Sequence, residues 1–178
     1  MWERKNELQH KYGGSASVYE RRYRDVQRRK FEFIAEFLES QKRILEVGCG
    51  SGFFLDNFNE KSEIFVGVDF SLPMLERVRE RDNDVYLILA DADYLPFKKN
   101  TFDIVISLTL LQNMPDPGFT IIEMKRVLRD DGIMIMTTLE KKHSVSDLED
   151  LVQSAGLTPV KIGSIPGSED IFCVAEEK

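Results

Sequence analysis

Three glycines at alternate positions carry the clearest chemical signal in this sequence. Gly48, Gly50 and Gly52 follow an apolar run that ends at Val47, and a helix is predicted to begin near Phe53. Glycine adopts positive φ without steric cost, so a ligand can lie directly against the main chain of such a turn. Free N–H groups at the start of the following helix can hold polar or anionic ligand atoms. The strand, turn and helix therefore predict a nucleotide-type binding site.

Residues around this turn distinguish between classes of nucleotide. A dinucleotide site follows the pattern G-x-G-x-x-G, but Phe53 occupies the place of its third glycine. Asp69 ends a predicted strand about 20 residues past the glycines, where a carboxylate accepts hydrogen bonds from ribose hydroxyls. A second acid, Asp91, ends the next predicted strand. A ribose-containing ligand is therefore expected, and Phe53 and Asp91 argue against a nicotinamide-dependent oxidoreductase.

The elements that position these residues alternate between strands and helices. Predicted strands cover residues 43–47, 63–68, 85–90, 101–107, 133–139, 158–162 and 171–175, and predicted helices cover 53–59, 71–81, 117–128 and 145–155. Ser71 is predicted to cap its helix, and Asp130–Asp131 is predicted to form a turn before the fifth strand. The length of 178 residues favours one α/β domain over residues 41–178, preceded by a helical arm or lid over residues 1–40.

Four segments, in order, resemble motifs of the class I S-adenosylmethionine (SAM) dependent methyltransferases, in the small UbiE-like or methyltransferase type 11 branch. The turn E-x-G-x-G-x-G resembles motif I, residues 66–75 resemble motif II, residues 90–97 resemble motif III and residues 102–105 resemble motif IV. The resemblance spans residues 19–139. It implies a Rossmann-like, doubly wound α/β fold with seven strands in the order 3-2-1-4-5-7-6 and strand 7 antiparallel.

The resemblance also implies which residues contact SAM. Asp69 is expected at the ribose, Asp91 and Ala92 at the adenine, and Tyr19 at the methionine end. The expected cofactor contacts are Tyr19, Glu46, Gly48, Cys49, Gly50, Gly52, Asp69, Phe70, Met74, Asp91, Ala92, Ser107 and Leu108. The expected substrate contacts are Tyr12, Gln112, Asn113 and His143. A solvated loop position is favoured for His143, and neither a catalytic residue nor a metal ligand is assigned.

The implied reaction is methyl transfer from SAM to an unidentified acceptor. A small-molecule acceptor is favoured, because the fourth motif resembles that of the small-molecule branch. The amide pair Gln112–Asn113 can orient a substrate but cannot take a proton at neutral pH. Holding donor and acceptor close and aligned is the protein's main task, so a strong base is not required. An RNA or protein methyltransferase, acting with a small partner subunit, is the alternative.

Charge is unevenly distributed along the chain. Residues 1–30 hold nine Lys and Arg against four acids, whereas the whole chain has a net charge of −7. Such a basic arm can bind an anionic partner such as RNA. Packing of the arm on the acidic remainder of the chain explains the same asymmetry and is favoured.

The predicted third strand, residues 85–90, is apolar on both faces, with Tyr86 and Ile88 alternating with Val85, Leu87 and Leu89. An exposed edge of this kind can pair with another chain. Some RNA and protein methyltransferases that this chain resembles pair that edge with a small zinc-binding activator. Helices that cover both faces of the strand explain the pattern equally and are the favoured interpretation.

Composition sets the broad class of the protein. The chain is 42% hydrophobic and 31% charged, as in ordinary globular proteins. No apolar run has the length of a membrane span, and the N-terminus lacks an apolar signal core, so a cytoplasmic protein without membrane partners is expected. The two cysteines, Cys49 and Cys173, favour neither a disulfide framework nor a zinc cluster.

Overall fold

Seven strands form one sheet in the order β3-β2-β1-β4-β5-β7-β6. The structure, a computed structural model, describes residues 27–38, 42–55, 62–81 and 85–177. The strands are β1 (Arg43–Val47), β2 (Ile64–Asp69), β3 (Tyr86–Leu89), β4 (Phe102–Leu108), β5 (Leu128–Leu139), β6 (Leu157–Ser164) and β7 (Asp170–Glu177). Strands β1 to β5 pair in parallel, whereas β7 runs antiparallel to β5 and β6. The predicted fold class and strand order are confirmed.

Helices connect the strands and lie on the two faces of the sheet. They are α1 (residues 27–35), α2 (Leu72–Arg81), α3 (Pro117–Val127) and α4 (Val145–Ser154), and a 3-10 turn lies at Leu111–Asn113. Within the described ranges, no helix has both the length and the apolar character needed to span a membrane. Residues 1–26 of the predicted arm lie outside the described residues, so the arm remains a prediction except for α1.

The central strands are buried on both faces, as expected for a parallel sheet between helices. On one face, Leu45 and Val47 of β1 pack with Ile121 and Met124 of α3 and with buried residues of α4. On the other face, Ile44 packs with side chains of α1, α2 and residues 53–55, which include Ile34, Leu75, Val78, Phe54 and Leu55. Because the sheet is covered on both sides, ligands have access at the ends of its strands.

Strand β5 departs from the prediction at its start. It begins at Leu128, and residues 129–132 form an irregular stretch opposite Asp103 between the paired regions of β4 and β5. Asp130 and Asp131 lie within this stretch, so the prediction of a separate turn before the strand was wrong. A Cβ on Gly132 would lie 2.8 Å from the Asp103 carbonyl oxygen, so a residue with a side chain would clash with the main chain of β4 here.

Candidate functional site

The glycine turn between β1 and the helical residue Leu55 has positive φ at each of its glycines: +79° at Gly48, +55° at Gly50 and +74° at Gly52. A Cβ on Gly52 would lie 2.8 Å from side-chain atoms of Leu55 and Val78, so this glycine is required for packing. A Cβ on Gly50 would meet no atom within 4 Å. The turn therefore presents open main chain at Gly50, where a ligand can approach.

Asp69, at the end of β2, holds this turn in place. Its Oδ2 accepts a 2.8 Å hydrogen bond from the backbone N–H of Gly50, and its Oδ1 accepts one of 2.8 Å from Ser71. Burial raises the pKa of this carboxyl, and the bonds from Ser71, Gly50 and Phe70 oppose that rise. Each carboxylate oxygen has a second lone pair, so Asp69 can still accept hydrogen bonds from ligand hydroxyls.

Glu46 is a buried carboxyl that lacks a full set of partners. Its residue is 2% exposed, and its Oε2 has no hydrogen-bond partner among the described residues. Burial, and secondarily the negative charge of Asp69, raises its pKa to about 8. Such a group is stabilised by a proton or by a cationic ligand atom placed against it.

Within the described ranges, two buried hydroxyls near the carboxyl ends of strands β2 and β4 also lack hydrogen-bond partners. The Oγ atoms of Ser71, after β2, and Ser107, near the end of β4, have no hydrogen-bond partner in the described part of the chain. The prediction that the Ser71 side chain caps α2 was therefore wrong. Buried polar atoms without partners are rare, and their concentration near the glycine turn is what a site for a polar ligand requires.

The loop after β3 is held by its own acidic residues. Asp91 accepts a 3.0 Å hydrogen bond at Oδ1 from the backbone N–H of Asp93, and Ala92 between them is buried. Asp93 is buried and accepts a 2.6 Å hydrogen bond from the Thr120 hydroxyl of α3. The sequence prediction missed this role of Asp93, although its place in the "ADAD" repeat was visible. Phe70, which follows β2, is half-buried, and Met74 in α2 is buried.

The backbone after β4 is strained at Thr109, whose φ is +57°. A β-branched residue rarely adopts this conformation, and such outliers cluster at functional sites. The backbone N–H of Thr109 is fixed by the carbonyl and hydroxyl oxygens of Thr137, at 3.0 and 2.9 Å. The next residue, Leu110, lies over the glycine turn, 3.1 Å from where a Cβ on Gly48 would stand. The loop after β4 and the glycine turn are thus in direct contact.

A buried ion pair, which no pattern in the sequence predicts, supports this strained residue. Lys30 Nζ lies 2.7 Å from Asp170 Oδ2, and the two side chains are 3% and 1% exposed. Lys30 also donates to the Thr109 hydroxyl at 2.8 Å, and that hydroxyl donates to Asp170 Oδ1 at 3.0 Å. The Ser168 hydroxyl donates to Asp170 as well. The one available signal was that Lys30 precedes the buried Ile34 by one helical turn.

The ion pair also bears on whether the basic residues of the arm are available to an anionic partner. Lys30 is neutralised by Asp170, Arg28 pairs with Glu32 at 2.9 Å, and Arg29 donates to the Gly167 carbonyl at 3.3 Å. The basic residues of the arm that the structure describes are therefore engaged within the chain. This agrees with packing of the arm on the acidic domain, the interpretation that the sequence favoured.

Gln112, Thr138 and His143 form a hydrogen-bonded chain where β4 and β5 end. The Thr138 hydroxyl lies 3.1 Å from Gln112 Oε1 and 2.9 Å from His143 Nδ1, and Gln112 Nε2 donates to the Thr109 carbonyl oxygen. Thr138 is fully buried and His143 is half-buried. His143 thus lies in a loop, as the sequence predicts, and it is half-buried and hydrogen-bonded to Thr138. Asn113 is half-buried in the same turn.

The remaining residues that the sequence predicts at the site are either buried or outside the described residues. Tyr12 and Tyr19 fall outside the described residues, and Leu108 is buried at the end of β4. Cys49 is buried in the glycine turn, and burial raises the pKa of its thiol, which argues against a nucleophilic role. No cluster of three metal-ligating side chains occurs over the described ranges.

Known proteins share this sequence pattern and this fold. Residues 45–136 match the family described as "Methyltransferase domain". A malonyl-[acyl-carrier protein] O-methyltransferase of Legionella pneumophila is 32% identical over 143 residues, covering 75% of this chain and 50% of that protein. A demethylmenaquinone methyltransferase of Renibacterium salmoninarum is 34% identical over 95 residues, covering 53% and 40%. The chain thus spans about half the length, or less, of these curated relatives.

One solved structure extends the comparison to nearly the whole chain. It is a complex between the Haloferax volcanii Trm112 methyltransferase activator and a methyltransferase. The match has a TM-score of 0.82 and 17% sequence identity, and it covers 93% of this chain and 96% of the other. At this identity the similarity shows the fold alone.

Proposed function

Because the chain belongs to the class I SAM-dependent methyltransferase family, we propose that it binds SAM beside the glycine turn and methylates a small molecule. The observation that carries the proposal is the set of buried, unpaired polar atoms, Glu46 Oε2, Ser71 Oγ and Ser107 Oγ, next to open main chain at Gly50. These atoms offer hydrogen-bond partners to a polar ligand that approaches the end of the strands.

Each part of SAM has residues suited to hold it. Asp69 would accept hydrogen bonds from the ribose, Asp91 and Ala92 would bind the adenine, and Glu46 would face a cationic group. Phe70, Met74, Leu108 and, from the arm, Tyr19 would complete the cofactor contacts. The sulfonium of bound SAM supplies the activated methyl group. The residues of the chain orient donor and acceptor and exclude water from the crevice.

The acceptor is proposed to be a small molecule or a small group on a carrier. The curated relatives are named for malonyl-[acyl-carrier protein] and demethylmenaquinone methylation. The described basic residues of the arm are engaged within the chain, which removes part of the support for RNA as the acceptor. Gln112, Asn113 and His143, with Tyr12 from the arm, would face the acceptor.

Calorimetry with SAM, S-adenosylhomocysteine and NAD tests the cofactor. We expect binding of the first two and no binding of NAD. Asp69→Ala should weaken SAM binding about tenfold to a hundredfold, because a hydrogen bond to a charged group contributes about 1.5–3 kcal/mol. Asp150→Ala, on the exposed side of α4, is the matched control and should bind SAM normally. Absence of heat with SAM, or unimpaired binding by Asp69→Ala, would contradict the proposal.

The acceptor is found by offering methyl-labelled SAM to fractions of a cell extract, with and without nuclease. We expect label in a nuclease-resistant fraction of low molecular mass or of a carrier protein. Label that disappears after nuclease treatment would instead identify RNA as the acceptor.

A partner subunit at the edge of the sheet is the second candidate. Among the described residues, β3 pairs only with β2, and its Tyr86 and Leu89 are 63% and 52% exposed. The favoured prediction that helices cover both faces of this strand was therefore wrong for these two side chains. An open apolar edge can be completed by a strand of another chain, and the Haloferax volcanii neighbour is complexed with an activator.

Light scattering separates the lone chain from the partnered one. If the edge binds a partner, co-expression with a Trm112-type activator should yield a stable heterodimer, and Tyr86→Lys should abolish it. Val160→Lys, at an exposed position on the opposite edge strand β6, should leave the heterodimer intact. A monomer under both conditions, with SAM bound normally, would favour the chain acting alone.

A further inference from the structure

The hydrogen-bonded chain after β4 and β5 fixes the orientation of the Gln112 amide. Gln112 Nε2 faces the carbonyl oxygen of Thr109, which can only accept a hydrogen bond. The amide oxygen is therefore the atom that lies 3.1 Å from the Thr138 hydroxyl. Because that oxygen can only accept, the Thr138 hydroxyl donates its single proton to Gln112.

The position of this proton determines the tautomer of His143. Its Nδ1 lies 2.9 Å from the same Thr138 hydroxyl. Since the hydroxyl proton is directed at Gln112, the hydroxyl can only accept from the ring, and Nδ1 must carry a hydrogen. A neutral imidazole carries one N–H, so Nε2 is left with a free lone pair.

The backbone on both sides of His143 holds the ring in this position. The N–H of His143 donates to the Leu139 carbonyl at 3.2 Å. The following residue, Ser144, caps α4 in a reciprocal arrangement with Asp147, with hydrogen bonds of 2.8 and 3.1 Å. The main chain at His143 is thus tied to the end of β5 and to the start of α4, and the ring itself is bonded to Thr138.

The chain also lies beside the proposed cofactor site. Gln112 belongs to the same short turn as Leu110, and Leu110 packs on Gly48 of the glycine turn. A ring tied to Gln112 is therefore connected through one turn to the main chain against which the cofactor would lie. A basic nitrogen in this place can serve the acceptor side of the crevice.

We propose that His143 is the general base of the methyl transfer, with Thr138 and Gln112 as positioning residues that keep Nε2 unprotonated. The proposal rests on the proposed function and narrows the acceptor to a group with an ionisable O–H or N–H. The acceptor oxygen or nitrogen forms a bond to the methyl carbon. The carbon–sulfur bond of the donor breaks, and its electron pair remains on sulfur. The acceptor proton passes to Nε2.

The tautomer can be measured directly by nitrogen NMR of protein labelled with ¹⁵N-histidine. The chain contains two histidines, and the His10→Gln variant assigns the signals of His143. The spectra are recorded at about pH 9. We expect a protonated Nδ1 and an unprotonated Nε2. A wild-type ring protonated at Nε2 would overturn the proposal.

Variants of the positioning residues should reverse this tautomer. In Gln112→Met the Thr138 proton loses its acceptor and turns to Nδ1, so the ring proton moves to Nε2. Thr138→Val should have the same effect, because Nδ1 loses its acceptor. Thr158→Val makes the same side-chain change on β6 and should leave the tautomer unchanged. An unchanged tautomer in both Gln112→Met and Thr138→Val would contradict the assignment.

The role in catalysis is tested by His143→Asn, whose amide nitrogen can replace Nδ1 as the donor to Thr138 but offers no base. With the fraction found by methyl labelling as acceptor, kcat should fall about 10²–10⁴-fold while KM and SAM affinity stay near the wild-type values. An unchanged kcat would overturn the proposal. Failure of SAM to bind the wild-type protein would reject the proposed function instead. The tautomer measurement needs no SAM, so it would still test the hydrogen bonds among Gln112, Thr138 and His143.

Discussion

The two sides of the crevice are built in different ways. On the β1–β2 side, side chains bind main chain: Asp69 accepts from the backbone N–H groups of Gly50 and Ser71. On the β4–β5–β7 side, side chains bind each other, as in the ion pair of Lys30 with Asp170 and its bonds to Thr109. Among the groups that the structure describes, the first side leaves Glu46 Oε2 and Ser71 Oγ unpaired, whereas on the second side the groups around the ion pair are hydrogen-bonded to one another and Ser107 Oγ is the unpaired atom.

This difference indicates different tasks. Unpaired groups such as Glu46 Oε2 are costly without a ligand, and they fit a side that completes its hydrogen bonds with a cofactor. A satisfied network is rigid and fits a side that must hold a strained residue such as Thr109 in one conformation. We therefore expect the Lys30–Asp170 ion pair to stabilise the β4–β5–β7 side. On the β1–β2 side, we expect Glu46 to make the stability depend on pH.

The largest effect is expected from breaking the ion pair. Lys30→Met leaves Asp170 buried without its cation, which should reduce the free energy of unfolding by about 3–5 kcal/mol. Arg28→Met on the same helix is the matched control. Its pair with Glu32 is mostly exposed, so the loss should stay below about 0.5 kcal/mol. Urea denaturation measures both, and equal small losses would show that the ion pair does not hold this side.

The next effect concerns the unpaired carboxyl on the other side. The pKa of Glu46 in the folded chain is about 8, above the ordinary value of 4.5. The folded state therefore keeps a proton that the unfolded state releases, so this contribution to stability is present below about pH 4.5 and is lost as the pH rises to about 8. At about 1.4 kcal/mol for each unit of the pKa difference, the loss approaches about 5 kcal/mol.

Glu46→Gln should remove this pH dependence, because an amide does not titrate. Urea denaturation at several pH values between about 5 and 9 measures the slope. Asp150→Asn, an exposed acid on α4, should keep the wild-type slope. A slope that persists in Glu46→Gln would assign the pH dependence to another group.

The smallest effect concerns the contact that joins the two sides. Gly48→Ala places a Cβ at φ +79° and 3.1 Å from Leu110, and should cost about 1–2 kcal/mol of unfolding free energy. In a Leu110→Ala background the cost should fall by about 0.5–1 kcal/mol, because the two Cδ contacts at 3.1 Å are removed and the Cβ contact at 3.3 Å remains. Gly50→Ala has positive φ but open space, so its cost should be the same in both backgrounds. Coupling at Gly50, or none at Gly48, would contradict this contact.

The contrast also explains which features the sequence could predict. The glycine turn and Asp69 lie in one strand–turn–helix–strand unit, so their spacing is visible in the chain. The ion pair joins α1 to the start of β7, and no local pattern announces a partner that distant. The same holds for the bond between Thr138 and Gln112, which depends on how the ends of β4 and β5 are placed.

The wrong predictions have related causes. The apolar residues of β3 predict a strand with helices on both faces, yet Tyr86 and Leu89 are exposed. Burial depends on neighbouring elements, and a periodic pattern does not specify them. Serine before a helix is a common cap, yet the Ser71 hydroxyl is unpaired although its backbone N–H bonds Asp69. The sequence therefore predicts the position of strand β3 and of Ser71, but it does not predict which groups contact them.

The packing of Leu110 on Gly48 has a consequence for how this sequence can diverge. Position 48 is restricted twice, by its φ of +79° and by a neighbour 3.1 Å from a new Cβ. A substitution at position 110 can relieve only the second restriction. Position 48 should therefore remain glycine in homologues that keep this turn. Variation at position 110 therefore does not open position 48 to another residue.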